Sequence, residues 1–178
     1  MRRGLIARSE AELPDAVFDA RLERLRAAMG TLDALLVYTN NTRPAAVSWL
    51  TGFIPYWSEA MLVVPRDGLP LLVAALTFRV KPWIERTSRI AEVIHTPRIG
   101  IMAARLIASS KPDAAVGAVD LDHLSAGIME DLGEAGPRLA LSQGQCSAPR
   151  PLARSHASTN SASSAGMAAA RTNPARRP

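Results

Sequence analysis

One cysteine, Cys146, stands in 178 residues. It has no partner for an intramolecular disulfide or for a paired-thiol metal or redox site, so a disulfide scaffold is excluded and a reducing compartment fits. Its thiol would become reactive only beside a group that lowers its pKa, and the sequence names none. Long apolar runs are missing as well. Nothing approaches about 18 consecutive apolar residues, and no signal-peptide core follows the basic opening Met1-Arg2-Arg3-Gly4-Leu5-Ile6-Ala7-Arg8. A cytoplasmic chain with neither export signal nor membrane span is the expectation. Catalytic signatures are absent too: there is no His-Glu-x-x-His, no phosphate-binding glycine loop, no Gly-x-Ser-x-Gly and no paired cysteines. Catalytic, cofactor-binding and metal residues therefore all read as none.

Acidic residues vanish from the last part of the chain. Residues 1–141 hold equal numbers of basic and acidic side chains, 16 of each, so the net charge of +5 comes from Arg150, Arg154, Arg171, Arg176 and Arg177. A neutral folded part with a cationic appendage differs from a basic nucleic-acid-binding domain. The arginines give salt-dependent attraction to any polyanion, but no aromatic residue lies among them to stack on bases, which argues against specific nucleic-acid recognition. From Ser142 onward Ser, Ala, Pro, Arg, Gly, Thr and Asn dominate, with Leu152 and Met167 the only large aliphatic residues. Such a segment buries too little surface to offset its ordering, so 142–178 reads as a disordered tail.

What is present is apolar and periodic, and it lies between 14 and 141. Asp33-Ala34-Leu35-Leu36-Val37-Tyr38 is an unbroken run suited to a strand covered on both faces. Residues 60–65 and 69–75 are two more strand-length runs, joined by Arg66-Asp67-Gly68, whose Asp-Gly step predicts a tight β-hairpin turn. Ahead of them, Pro14 and Asp15 suit a helix start; Phe18, Leu22, Leu25 and Met29 form one apolar stripe, and Gly30 is a natural stop. A short helix through Ala46 and Trp49 is expected, capped by Asn41 or Thr42.

Beyond Leu76 the pattern predicts an exposed helical connection interrupted at Pro82, then a strand over 89–95. A helix follows, started by Thr96-Pro97, burying Ile99, Met102 and Leu106 and ending at Lys111-Pro112. Residues 114–120 read as a central strand. Asp122 suits the cap of a helix with Leu124, Ile128 and Leu132 on one face, and 138–141 read as a last short strand. Alternating helices and strands with one hairpin predict an α/β fold, a mixed sheet with helices on both faces.

An amphipathic helix ending Arg-Leu-Arg-Ala-Ala-Met, then Leu32-Asp33-Ala34-Leu35-Leu36-Val37, then Trp49-Leu50-Thr51-Gly52-Phe53 and a hairpin resemble the N-terminal domain of the creatinase, prolidase and aminopeptidase P family. The resemblance covers about 14–141 and implies a three-layer α/β/α domain. In that family the chemistry belongs to a C-terminal "pita-bread" domain holding two metal ions through two aspartates, a histidine and two glutamates, and no stretch here matches those motifs. The resemblance thus implies a non-catalytic domain that serves oligomerisation or substrate access, with a protein partner or a second copy of the chain. The alternative it leaves is a subunit working with a separately encoded catalytic domain on Xaa-Pro peptides or a related amide. The composition shift after Leu141 further suggests a frameshifted remnant of a longer gene, which translating the other two frames past that codon tests.

Three aromatic residues, Phe53, Tyr56 and Trp57, crowd one loop of a chain that is 4% aromatic. They are the candidate interface or substrate-entrance contacts; the competing reading is that Phe53 and Trp57 cap the end of the core. Asp120 and Asp122 alternate on a strand beside His123 and form a candidate cation pair, although a strand running into a helix-capping Asp explains the same letters. His95 reads as a hydrogen-bonded structural histidine, His156 lies in the tail, and Glu59 and Asp67 read as solvated.

Overall fold

The computed structural model describes residues 11, 13–55, 58–119 and 123–135. Helix α1 spans Asp15–Ala28, with Pro14 at its cap position and Phe18 and Leu22 buried. Gly30 follows with a φ of 57°, the left-handed turn that releases the chain towards the sheet. Strand β1, Ala34–Thr39, is buried along its whole length. Helix α2 is Ala45–Thr51, β2 is Ala60–Pro65 and β3 is Leu71–Ala74. A single 3-10 turn at Phe78–Val80 leads into α3, Lys81–Thr87. Then come β4 (Glu92–His95), α4 (Ile99–Ser110), β5 (Val116–Val119) and α5 (Ala126–Ala135).

The sheet order is β4-β3-β2-β1-β5. Strand β2 runs antiparallel to both β1 and β3, whereas β1 with β5 and β3 with β4 are parallel. Alternation along the strands sorts the core into two layers. Leu35, Val37, Leu62, Val64, Leu72 and Val93 face α1, α2 and α3, meeting Leu22, Leu50 and Ile84. Leu36, Tyr38, Met61, Val63 and Val116 face α4 and α5, meeting Ile99, Ala103, Ile107 and Leu132. The fold is therefore a three-layer α/β/α arrangement around a mixed sheet, as the pattern predicts.

Several local expectations change. The Asp-Gly step does turn the chain, with Gly68 at a φ of 82°, but the hairpin is not tight. The β2–β3 ladder stops at Val63↔Leu71, while Val64 and Pro65 pair with Leu35 and Ala34 of β1. Pro70 has no N–H to extend the ladder, and Arg26 donates to the Pro65 and Gly68 carbonyls instead. Pro82 does not interrupt a helix. It sits in the first turn of α3, where its missing N–H costs nothing. Strand β5, expected to be central, is outermost among the described residues.

Helix caps and stripes also shift. Neither Asn41 nor Thr42 caps α2; Asn40 Oδ1 instead accepts the Thr42 and Arg43 N–H groups at 3.0 and 2.9 Å. Thr96 Oγ1 accepts the Arg98 N–H at 3.2 Å, just ahead of α4. In α4 the buried residues are Ile99, Gly100, Ile101, Ala103, Ala104 and Ile107, with Met102 and Leu106 only partly buried. That helix is packed on two sides, by the sheet and by α5, so its small residues turn inward. The cap expected of Asp122, the strand expected at 138–141 and the tail at 142–178 lie outside the described residues.

Candidate functional site at the carboxyl end of the sheet

Trp49-Leu50-Thr51-Gly52-Phe53 closes α2 and turns the chain towards β2. Thr51 is fully buried. Its hydroxyl donates to the Val47 carbonyl at 2.8 Å and accepts the Phe53 N–H at 3.1 Å, while its carbonyl accepts the Arg89 N–H at 2.7 Å. Gly52 has a left-handed φ of 80°, and a Cβ there would stand 3.3 Å from Phe18 Cζ and 3.4 Å from the Thr87 carbonyl. Arg21 donates to the Trp49 carbonyl at 2.7 Å, its guanidinium 5.3 and 5.1 Å from the Phe18 and Trp49 ring centres. Burial lowers the Arg21 pKa, yet an arginine keeps its charge, so the cation is held by ring faces and a helix-end carbonyl. Arg89 braces the same corner, its guanidinium paired side-on with Asp19 at 3.0 and 3.1 Å. The most distinctive stretch of the sequence is thus a folding device.

Phe53 belongs to that device. Its ring is 2% exposed and packed in the core against α1, α2 and α3. Of the two roles open to it, surface contact or core cap, its burial among Leu22, Val47, Leu50 and Ile84 agrees with the second. Tyr56 and Trp57 lie outside the described residues.

The strand directions bring the ends of β1, β3, β4 and β5 together with the start of β2. In α/β sheets this carboxyl end is where ligands and partners collect. The rim here carries Ile54, 42% exposed, and Phe78, 73% exposed, two of the few large apolar side chains left open to water. Its loops are tied to one another. Ser58 Oγ donates to the Ala75 carbonyl at 2.9 Å, and the Ala75 N–H donates to the Glu59 carbonyl at 3.0 Å. His95 Nδ1 lies 2.9 Å from the Leu76 carbonyl, the hydrogen-bonded structural role expected of it, while its Nε2 is buried without a partner among the described residues. Thr39 Oγ1 donates to the Arg43 carbonyl at 3.0 Å. An open depression of about 540 Å³ beside this loop is lined, among the described residues, by Thr42, Arg43, Pro44, Ala45 and Ala46, with no carboxylate, cysteine or histidine among them.

One group on the rim was not legible beforehand. Tyr38 is 3% exposed at the end of β1, and its hydroxyl accepts from Asn40 Nδ2 at 3.3 Å. Desolvation pushes its phenol pKa up, Glu59 raises it further, and the Asn40 hydrogen bond opposes the rise. Glu59 is half-buried rather than fully solvated, and its carboxylate raises the Tyr38 phenol pKa. The strand register reveals this pairing, and a single sequence does not contain it. Among the described residues no three His, Cys, Asp or Glu side chains converge on a metal-sized space. Asp120 and Asp122 lie outside those residues. Among the described residues, too, no helix is long and apolar enough to cross a membrane.

The Creatinase/Prolidase N-terminal domain family profile matches residues 21–146. The chain belongs to that family. No curated protein matches it. Solved structures do, at identities that carry the fold alone. A Streptococcus pyogenes Xaa-Pro aminopeptidase structure superimposes with a TM-score of 0.54 at 20% identity, covering 71% of this chain and 90% of that one. An aminopeptidase P from Streptococcus thermophilus gives 0.54 at 19%, covering 70% and 89%. A prolidase from Thermococcus sibiricus gives 0.54 at 17%, covering 70% of this chain and 34% of the prolidase. A creatinase/prolidase N-terminal domain thus forms the described part of the chain, and its Leu50-Thr51-Gly52-Phe53 box is the corner that joins α2 to the sheet.

Proposed function

We propose that this creatinase/prolidase N-terminal domain, taken as residues 14–141, is non-catalytic and acts through protein contact, in oligomerisation or in shaping access to a partner's active site. The observation that carries the reading is the exposed pair Ile54 and Phe78 on the carboxyl-end rim of an otherwise well-covered fold. Large apolar side chains left in water at one edge of the sheet support a contact surface there. Tyr56 and Trp57, in the loop that Ile54 opens, extend the same surface in this reading, and Phe53 supports it from the core. The lone Cys146 supports a reducing, cytoplasmic setting in this reading.

The test is Ile54→Glu combined with Phe78→Glu. Two carboxylates on the rim are expected to abolish assembly, read by light scattering, while the circular dichroism of the fold stays unchanged. Assembly that survives both charges would sink the reading. Purified alone with manganese or cobalt, the chain is expected to leave Xaa-Pro peptides intact. Turnover well above background would overturn the non-catalytic proposal.

A further inference from the structure

Tyr38 stands opposite Met61 in the β1–β2 ladder. The Ala75 N–H to Glu59 carbonyl bond carries the β2–β3 ladder one step past Ala60↔Ala74, so Glu59 keeps the alternation of its strand. Glu59, two residues before Met61, therefore shares the α4–α5 face with Tyr38 and is its diagonal neighbour, within reach of a long side chain. Asn40, two residues after Tyr38, completes the group from the other loop, and its Oδ1 is already committed to Thr42 and Arg43 at 2.8 to 3.0 Å.

We propose that Tyr38, Glu59 and Asn40 form a latch that positions the rim: the buried hydroxyl donates to the Glu59 carboxylate and accepts from Asn40, tying the stem of the 53–59 loop to the 40–44 loop. Tyr38 is suited to this because its ring is fixed in the core while its hydroxyl reaches the end of the sheet. One oxygen that both donates and accepts bridges two loops which have no backbone ladder between them. The consequence is that the two loop stems are held in one arrangement, which lowers the ordering cost of docking at the rim. The inference rests on the rim being the contact surface, and its test is kept separate from any partner.

In the full chain, Glu59→Gln and Tyr38→Phe are compared with the parent by ultraviolet titration of tyrosinate and by amide hydrogen exchange. The sequence has two tyrosines, Tyr38 and Tyr56. Removing the neighbouring negative charge in Glu59→Gln is expected to move one ionisation step to lower pH, and Tyr38→Phe to delete that same step. In Tyr38→Phe, exchange at Thr42, Arg43 and Ala75 is expected to rise about fivefold, the effect of losing one net hydrogen bond, with the β1–β2 ladder protected as before. An unchanged titration in Glu59→Gln, or exchange rising evenly through β1 and β2, overturns the latch. Should Tyr38→Phe fail to fold, Glu59→Gln supplies the titration and Glu59→Ala, which leaves the hydroxyl no acceptor, supplies the exchange. A working latch whose Ile54 and Phe78 charge variants still assemble would refute only the contact surface.

Discussion

Gly52 is the residue on which the corner between α2 and the sheet turns. Its φ of 80° is one that an L side chain adopts only under strain, and Phe18 and the Thr87 carbonyl already crowd the place of a Cβ. Gly52→Ala is expected to cost about 1 to 2 kcal/mol, measured by urea denaturation. At the opposite end of the sheet, Asp33 accepts from Lys111 Nζ and from the Ala115 N–H, both at 2.8 Å. The Lys111 hydrogen bond foremost, then that of Ala115, holds its carboxyl below the usual aspartate range. A group depressed in the folded state contributes stability above its unfolded pKa, and that contribution is lost as pH falls through the folded value. Asp33→Asn is therefore expected to flatten the loss of stability between about pH 5 and pH 2, seen in melting temperatures across that range, while leaving the neutral-to-alkaline slope alone. A variant that keeps the parent's acid dependence would count against the assignment.

Among the elements, α1 and β1 were legible because their covering is one-sided and two-sided respectively. A helix with one buried stripe and a strand buried throughout each leave a plain pattern. Helix α4 was less so. Its Met102 and Leu106 mark it as a helix, but its deepest face is built of Gly100, Ala103 and Ala104, which no apolar pattern singles out. A Cβ on Gly100 would fall 2.8 Å from the Ile128 carbonyl and 2.7 Å from Asp131 Cβ, so the glycine sets how closely α4 and α5 approach. Arg98 spans the same junction to Asp131 and Glu134 at 2.6 and 3.0 Å. Gly100→Ala is expected to push α5 outward and destabilise the fold by about 1 to 3 kcal/mol. Hydrogen exchange rising first in α5 is the sign to look for. Uniform protection would show that the junction yields without cost.

Over the whole molecule, the sheet order decides what meets at the rim. Ile54 and Phe78 are 24 positions apart and belong to different connections, yet four strands ending at one edge bring both loops there. The contact role proposed for that edge leads to a concentration-dependent mass in light scattering that the paired glutamate substitutions remove. A parent chain that stays monomeric at every concentration would remove the homo-oligomeric form of the proposal. Of the candidate contacts, Phe53 was marked for its aromatic ring. What composition could not say is that the ring is spent on the core, since a buried and an exposed phenylalanine are the same letter.

The chain alone settled the fold class, because apolar patterning is local: unbroken apolar runs of strand length and three-to-four-residue helical stripes can each be read within one segment. Composition also showed that residues 1–141 carry balanced charge and that the excess of arginine lies beyond them. Tertiary structure alone decided that β5 lies outside β1, that Glu59 faces Tyr38 and that Gly100 is a contact. Those depend on strand register and helix approach, which arise from distant residues meeting and leave no mark on any one segment.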